Sequence, residues 1–112
     1  MIRLTVLYNL SPDTNEEEFL KWRLGKHQES NLGIEGVLRT DFALIDGAWP
    51  EGTDAPYRFI TTMDWPDTAS FKKGFYDPQV QSDLDKNLKK LSNPVFLISE
   101  ILIDQKKESS ES

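Results

Sequence analysis

The sequence contains no cysteine and only one histidine. The lack of cysteine excludes disulfide bonds, thiolate nucleophiles and cysteine-based metal sites. One histidine cannot form a multi-histidine metal site within a chain, and no His-Glu-x-x-His spacing occurs. Glycine-rich phosphate loops and Gly-x-Ser-x-Gly elbows are also absent. We therefore predict no metal site and no bound cofactor.

The sequence also lacks long apolar runs and basic clusters. No apolar stretch approaches the roughly 20 residues that a membrane helix needs, and residues 1–9 alternate in polarity, unlike a signal peptide. No stretch of lysine and arginine is longer than the isolated pairs at residues 72–73, 89–90 and 106–107, and the net charge is -6, whereas phosphate binding needs a concentrated basic surface. The sequence thus predicts a cytoplasmic protein with no nucleic-acid or membrane partner.

The 112 residues suit one domain, which we place at residues 1–104, followed by a polar tail, 105–112, predicted to be disordered. Residues that alternate in polarity predict strands. Caps, breakers and apolar spacing predict two helical regions. The strands are predicted at residues 2–9, 36–45, 57–65 and 95–103, and the helical regions at 15–32 and 67–91, the second with a break at Asp77-Pro78.

This order is β-α-β-β-α-β, which predicts an α+β ferredoxin-like fold: a four-stranded antiparallel sheet with helices on one face. Strands two to four nevertheless carry large apolar residues on both faces. An exposed apolar sheet face is uncommon on a monomer, so we expect it to pair with the same face of a second copy. The residues concerned are Phe42 and Ile45, Phe59 and Ile60, and Leu97 and Ile98.

Three stretches resemble the EthD-like family: residues 2–8, residues 17–27, which form an aromatic and acidic helix ending near His27, and residues 71–85. That family belongs to the dimeric α+β barrel superfamily. The resemblance implies a homodimer whose two sheets face each other across a two-fold axis. EthD-like proteins are known as accessory proteins in ether degradation, with relatives near pigment and polyketide biosynthesis. Gln28-Glu29-Ser30 stands where members often place proline and apolar residues, which predicts a more polar pocket mouth.

His27 is the candidate catalytic residue, because an ordinary histidine pKa near 6.5 suits proton transfer at neutral pH and the family resemblance points to the same residue. Alternatively, His27 ends a helix, where the dipole favours its charged form. A ligand pocket that is mainly aromatic with a few polar groups would suit a small apolar molecule. Its candidates are Tyr8, Asn9, Phe19, Trp22, Arg23 and Trp65; Tyr8, Phe19 and Trp22 could instead be core residues.

Charged residues inside strands need a partner or an edge position. We interpret Arg39 and Asp41, two residues apart on one face, as an ion pair or a solvated feature, with a polar pocket wall as the alternative. Glu100 interrupts an apolar strand face, and we predict that Arg58 or Arg39 pairs with it.

Three functions remain open. The first is a small-molecule protein, in one form a cofactor-independent enzyme acting on an apolar or aromatic metabolite. The second is a non-catalytic dimeric ligand-binding or regulatory module, which a solidly packed interior would favour. The third is a haem-degrading monooxygenase relative, because Asn9 and Trp65 resemble two members of that family's Asn-Trp-His set, although no histidine lies between Pro66 and Leu91.

Overall fold

A computed structural model describes residues 1–107 of the chain. Residues 108–112 of the predicted tail lie outside that part. The elements follow the predicted order, with both helical regions divided. They are β1 (Ile2–Leu10), α1 (Glu16–Leu24), α2 (Lys26–Leu32), β2 (Arg39–Leu44), β3 (Phe59–Trp65), α3 (Thr68–Phe75), α4 (Pro78–Asn87), a 3-10 helix (Leu88–Lys90) and β4 (Leu91–Glu100).

The four strands form one antiparallel sheet in the order β2-β3-β1-β4. This confirms the predicted ferredoxin-like topology. Alternation along β1 directs one set of side chains toward the helices, where they meet the corresponding residues of β3 and the aromatic residues of α1 and α3. The resulting core contains Ile2, Leu4, Val6, Tyr8, Phe19, Phe59, Met63, Trp65 and Phe71.

The first helical region differs from the single helix that the sequence predicts, because Gly25 breaks it. Gly25 has φ -103° and ψ -101°, outside the helical region, and so ends α1 and precedes α2. Its lack of a side chain matters here, since a Cβ would lie 3.2 Å from the Lys21 carbonyl oxygen. His27 therefore lies at the start of α2 rather than at the end of one long helix, so the prediction of a favourable helix C-terminus is wrong.

The second helical region begins as predicted but ends earlier. The Asp67 and Asp77 carboxylates accept hydrogen bonds from backbone N–H groups at the first turns of α3 and α4. The helix ends at Asn87 and β4 begins at Leu91, not at residue 95. Asn93 has a positive φ of 52° and lies beside a register shift in the pairing of β4 with β1. The strand is therefore irregular near its start, where the sequence is polar.

The sheet face opposite the helices, called the open face below, has no covering element within residues 1–107. Its apolar residues include Leu7, Ile60, Val95 and Leu97, and the Leu97 side chain is 51% exposed. No helix in the described part of the chain has the length and apolarity needed to cross a bilayer.

One end of the open face carries a network of four charged side chains. The Arg3 guanidinium donates to both oxygens of the buried Asp64 carboxylate, at 2.8 and 2.9 Å. Arg39 bonds Asp64 at 3.4 Å and Asp41 at 2.7 Å, so the predicted Arg39–Asp41 pair is present. These bonds hold the pKa of the Asp64 carboxyl below its usual value.

The predicted partner for Glu100 is not found. Arg58 pairs with Glu16 instead, and Arg39 is engaged by Asp41 and Asp64. Glu100 ends the edge strand β4 and is exposed, so its carboxylate stays in water and needs no cation.

Candidate functional site

A cavity of about 400 Å³ lies between the helix face of the sheet and the helices above it. This volume is within the range of pockets that hold small molecules. The sheet supplies an apolar floor from Leu4, Val6 and Met63, and Phe96 closes the β4 side. A second wall comes from one face of α4, where Val80, Asp83, Leu84 and Asn87 follow helical spacing, and a third comes from α1 and α2.

Trp22 forms an aromatic wall of the cavity. The His27 imidazole stacks on its indole, with ring centroids 4.1 Å apart and planes inclined by 23°. The Lys90 ammonium lies 3.5 Å from the centroid of the same indole, a cation–π contact. Phe19 packs against Trp22 at 5.7 Å and joins it to the core. The histidine is thus held by packing against a fixed ring.

Burial, together with the nearby positive charges of Arg23 and Lys90, lowers the pKa of His27 to about 4, and Asp83 opposes the change. The imidazole is therefore neutral at pH 7. The pKa differs from the ordinary value near 6.5, because the sequence shows neither the burial of this ring nor the positive charges of Arg23 and Lys90 near it. Neutral His27 can accept one hydrogen bond and donate another, but it is a weak base.

Arg23 reaches from α1 into the interior beside the cavity, and the residue is only 2% exposed. It donates hydrogen bonds to the Gln28 side-chain oxygen at 2.7 Å and to the Thr61 hydroxyl at 3.2 Å. The guanidinium also lies 4.4 Å from the centroid of the Phe42 ring. Burial lowers the pKa of Arg23, and the nearby Tyr8 opposes that change. Gln28, part of the predicted polar mouth, thus fixes a buried cation.

The structure brings together most of the residues named from the sequence. Tyr8, Phe19, Trp22, Arg23 and His27 all line the cavity. Tyr8 and Phe19 are also core residues, with ring centroids 6.1 Å apart, so these two side chains both pack in the core and line the cavity.

Asn9 and Trp65 do not line the cavity. The Asn9 amide donates to the Pro56 carbonyl and accepts from the Arg58 N–H, so it fixes the segment that leads into β3. Trp65 is fully buried, and its indole N–H donates to the Glu35 carbonyl at 3.0 Å. Both residues therefore have structural partners away from the histidine.

Seven polar or charged residues of the wall were not among the candidates: Lys26, Ser30, Asn31, Thr61, Asp83, Lys86 and Asn87. Asp83 lies three residues after Val80, and Asn87 lies three residues after Leu84. A helical projection of α4 would therefore have placed both on the same face as these apolar residues. Thr61 occupies an inward position of β3, where a polar residue signals a partner. Within residues 1–107 no three His, Asp or Glu side chains approach closely enough to hold a metal ion.

Comparison with solved structures identifies the architecture. An EthD family protein from Bacillus halodurans superposes with a TM-score of 0.74 at 16% identity, covering 91% of this chain and 99% of that protein. The fold is that of EthD family proteins. This fold agrees with the predicted resemblance to EthD-like proteins. At these identities the similarity shows the shared fold.

Two further solved structures share the fold of this chain. A hydroxynitrile lyase from Passiflora edulis has a TM-score of 0.73 at 14% identity, covering 94% of this chain and 96% of the lyase. A dimeric ferredoxin-like protein from Thermobifida fusca has a TM-score of 0.66 at 15% identity, covering 89% and 90%. No protein-family model and no curated protein matches the sequence.

Proposed function

We propose that this chain is a homodimeric small-molecule protein that binds an apolar or aromatic molecule between its helices and its sheet. The observation that carries the proposal is the cavity of about 400 Å³, on which His27, Arg23 and Tyr8 converge from α2, α1 and β1. An apolar enclosure with a few polar groups is the usual character of a small-molecule site. An open cavity also favours this function over a regulatory module with a packed interior.

The proposal includes a second copy on the open face. Leu7, Ile60, Val95 and Leu97 would leave a contiguous apolar surface in water on a lone copy. The charged network of Arg3, Arg39, Asp41 and Asp64 sums to zero, so two copies can approach face to face without net repulsion at that end. The dimeric T. fusca protein of the same fold supports this arrangement.

The proposal also includes catalysis without a cofactor, with His27 as the group that moves a proton. The hydroxynitrile lyase of the same fold supports an enzymatic role for this architecture. Because the pKa of His27 is about 4, its neutral form is the active one at neutral pH. Turnover that depends on this form should stay constant above pH 6 and fall as the pH approaches 4. In His27→Ala, turnover should be lost while the dimer remains.

The haem-degrading alternative gains no support from the site. Asn9 and Trp65, the two residues behind it, lie outside the cavity and bond to backbone groups. A haem titration without a change in the Soret band would remove it.

Filling the cavity tests the binding proposal. Leu84→Trp places a larger side chain into the wall, and we expect it to abolish the saturable binding of 2-naphthol that calorimetry measures on the unchanged protein. Leu24→Trp is the control, because Leu24 is 64% exposed on α1 and does not line the cavity. Equal binding by both variants would show that 2-naphthol binds elsewhere.

A further inference from the structure

Arg23 is a buried cation without an anionic partner in the described part of the chain. Its guanidinium bonds are to the neutral Gln28 and Thr61, its other neighbours are the Tyr8 side chain and the Phe42 ring, and no Asp or Glu in residues 1–107 lies within ion-pair distance of it. A buried charge is costly unless it is paired. The two bonds use two of the five N–H donors of a guanidinium, so the group retains capacity to bind a further acceptor from the cavity that it lines.

The charges of the cavity wall have the opposite sign to the whole chain. The wall contains the cations Arg23, Lys26 and Lys86 and one carboxylate, Asp83. The complete chain carries a net charge of -6. Arg23 is buried, whereas Lys26 and Lys86 are exposed, and this local excess of positive charge favours the approach of an anion.

The surroundings of Trp22 also carry positive charge. Lys90 packs on the Trp22 indole. Arg23 and Lys90 both lower the pKa of His27, so both positive charges act on the His27 imidazole. An anion placed among these groups would relieve the mutual repulsion.

We infer that the ligand is an aromatic carboxylate whose carboxyl group pairs with Arg23 while its ring packs against Trp22 and the apolar floor. A guanidinium presents a planar fork of N–H donors that matches a carboxylate, which favours this group over a more diffuse anion. The inference rests on the proposed function and names the class of molecule that the same cavity takes.

Calorimetric titration of two matched probes tests the inference. 2-Naphthoate and 2-naphthamide share the same ring system and differ in charge. At pH 7 we expect the carboxylate to bind about tenfold more tightly or better, the range of a hydrogen bond to a charged group. In Arg23→Gln the preference falls to near unity, whereas Lys21→Gln, which removes a charge from the exposed side of α1, keeps it.

The outcomes separate the two proposals. Equal affinity for both probes would overturn the carboxylate inference and leave the apolar cavity standing. No binding of either probe, nor of 2-naphthol, would overturn the proposed function as well. Circular dichroism checks that Arg23→Gln is folded; if it is not, the comparison of the two probes on the unchanged protein still decides the inference.

Discussion

His27 lies in an environment that disfavours its charged form. Burial of the ring, which stacks on the Trp22 indole, is the main cause, and the positive charges of Arg23 and Lys90 add to it, with Asp83 opposing them. Since the chain has one histidine, its imidazole signals in a proton NMR spectrum belong to a single residue. The residue is therefore a direct probe of the cavity.

We predict that a pH titration of the His27 ring protons gives a pKa of about 4. In Lys90→Gln the pKa of His27 should lie closer to its ordinary value, because one of the two repelling cations is removed. Lys89→Gln serves as the control, since the pKa of His27 is not attributed to that neighbour. A value near 6.5 in the unchanged protein would place the imidazole in solvent and contradict the described packing.

The lowered pKa of His27 also makes the stability of the fold depend on pH. The unfolded chain binds a proton at His27 with an ordinary pKa near 6.5, whereas the folded chain binds it only near 4. The stabilising contribution is thus complete above pH 6.5 and is lost as the pH falls toward 4. Urea unfolding at pH 7 and pH 5 should show a larger loss of stability for the unchanged protein than for His27→Gln.

Among the elements, α3 depends on a glycine for its approach to the loop before β2. A Cβ on Gly74 would overlap the Glu35 carbonyl oxygen and lie 2.9 Å from the Trp65 indole nitrogen. The same carbonyl accepts the hydrogen bond of that indole. Gly74 therefore allows α3, the loop and the core tryptophan to meet.

We predict that Gly74→Ala lowers the free energy of unfolding by about 1–3 kcal/mol, the usual cost of overpacking. Gly47→Ala is the matched control, because nothing lies within 4 Å of a Cβ there and its φ is not positive; the control should be near neutral. Urea denaturation compares the two variants. A Gly74→Ala protein as stable as the Gly47→Ala protein would contradict the close contact.

The pattern of the sequence was sufficient for most elements and insufficient at their ends. Alternation in β1 and β3, the Asp67 and Asp77 caps and Pro78 carry local chemistry that determines structure within a few residues. The break at Gly25 was not predictable, since a lone glycine within a helical pattern is often tolerated. The early start of β4 at Leu91 depends on pairing with Leu10, a contact distant in sequence.

At the scale of the whole molecule, the open face needs a partner, and we predict that the chain is a dimer with twice its 12.9 kDa mass. Leu97→Glu should give a monomer in light scattering at micromolar concentration, because it places a charge on the apolar face, on the edge strand β4. Leu24→Glu, on α1 away from that face, should remain a dimer. A monomeric unchanged protein would contradict the pairing.

The cavity as a whole was only partly predictable from the sequence. The aromatic and histidine residues of β1, α1 and α2 were identifiable because they cluster along the chain. The contributions of α4 and β3, such as Asp83 and Thr61, arise from packing between elements far apart in sequence. The effect of Lys90 on His27 arises in the same way.

The central claim is that a small aromatic molecule occupies the cavity beside His27. Proton NMR of the His27 ring during addition of 2-naphthoate tests it most directly. We predict a saturable shift of these signals, caused by the ring current of the probe, together with a higher pKa of His27 from its negative charge. Signals that stay unchanged at saturating probe would contradict the account.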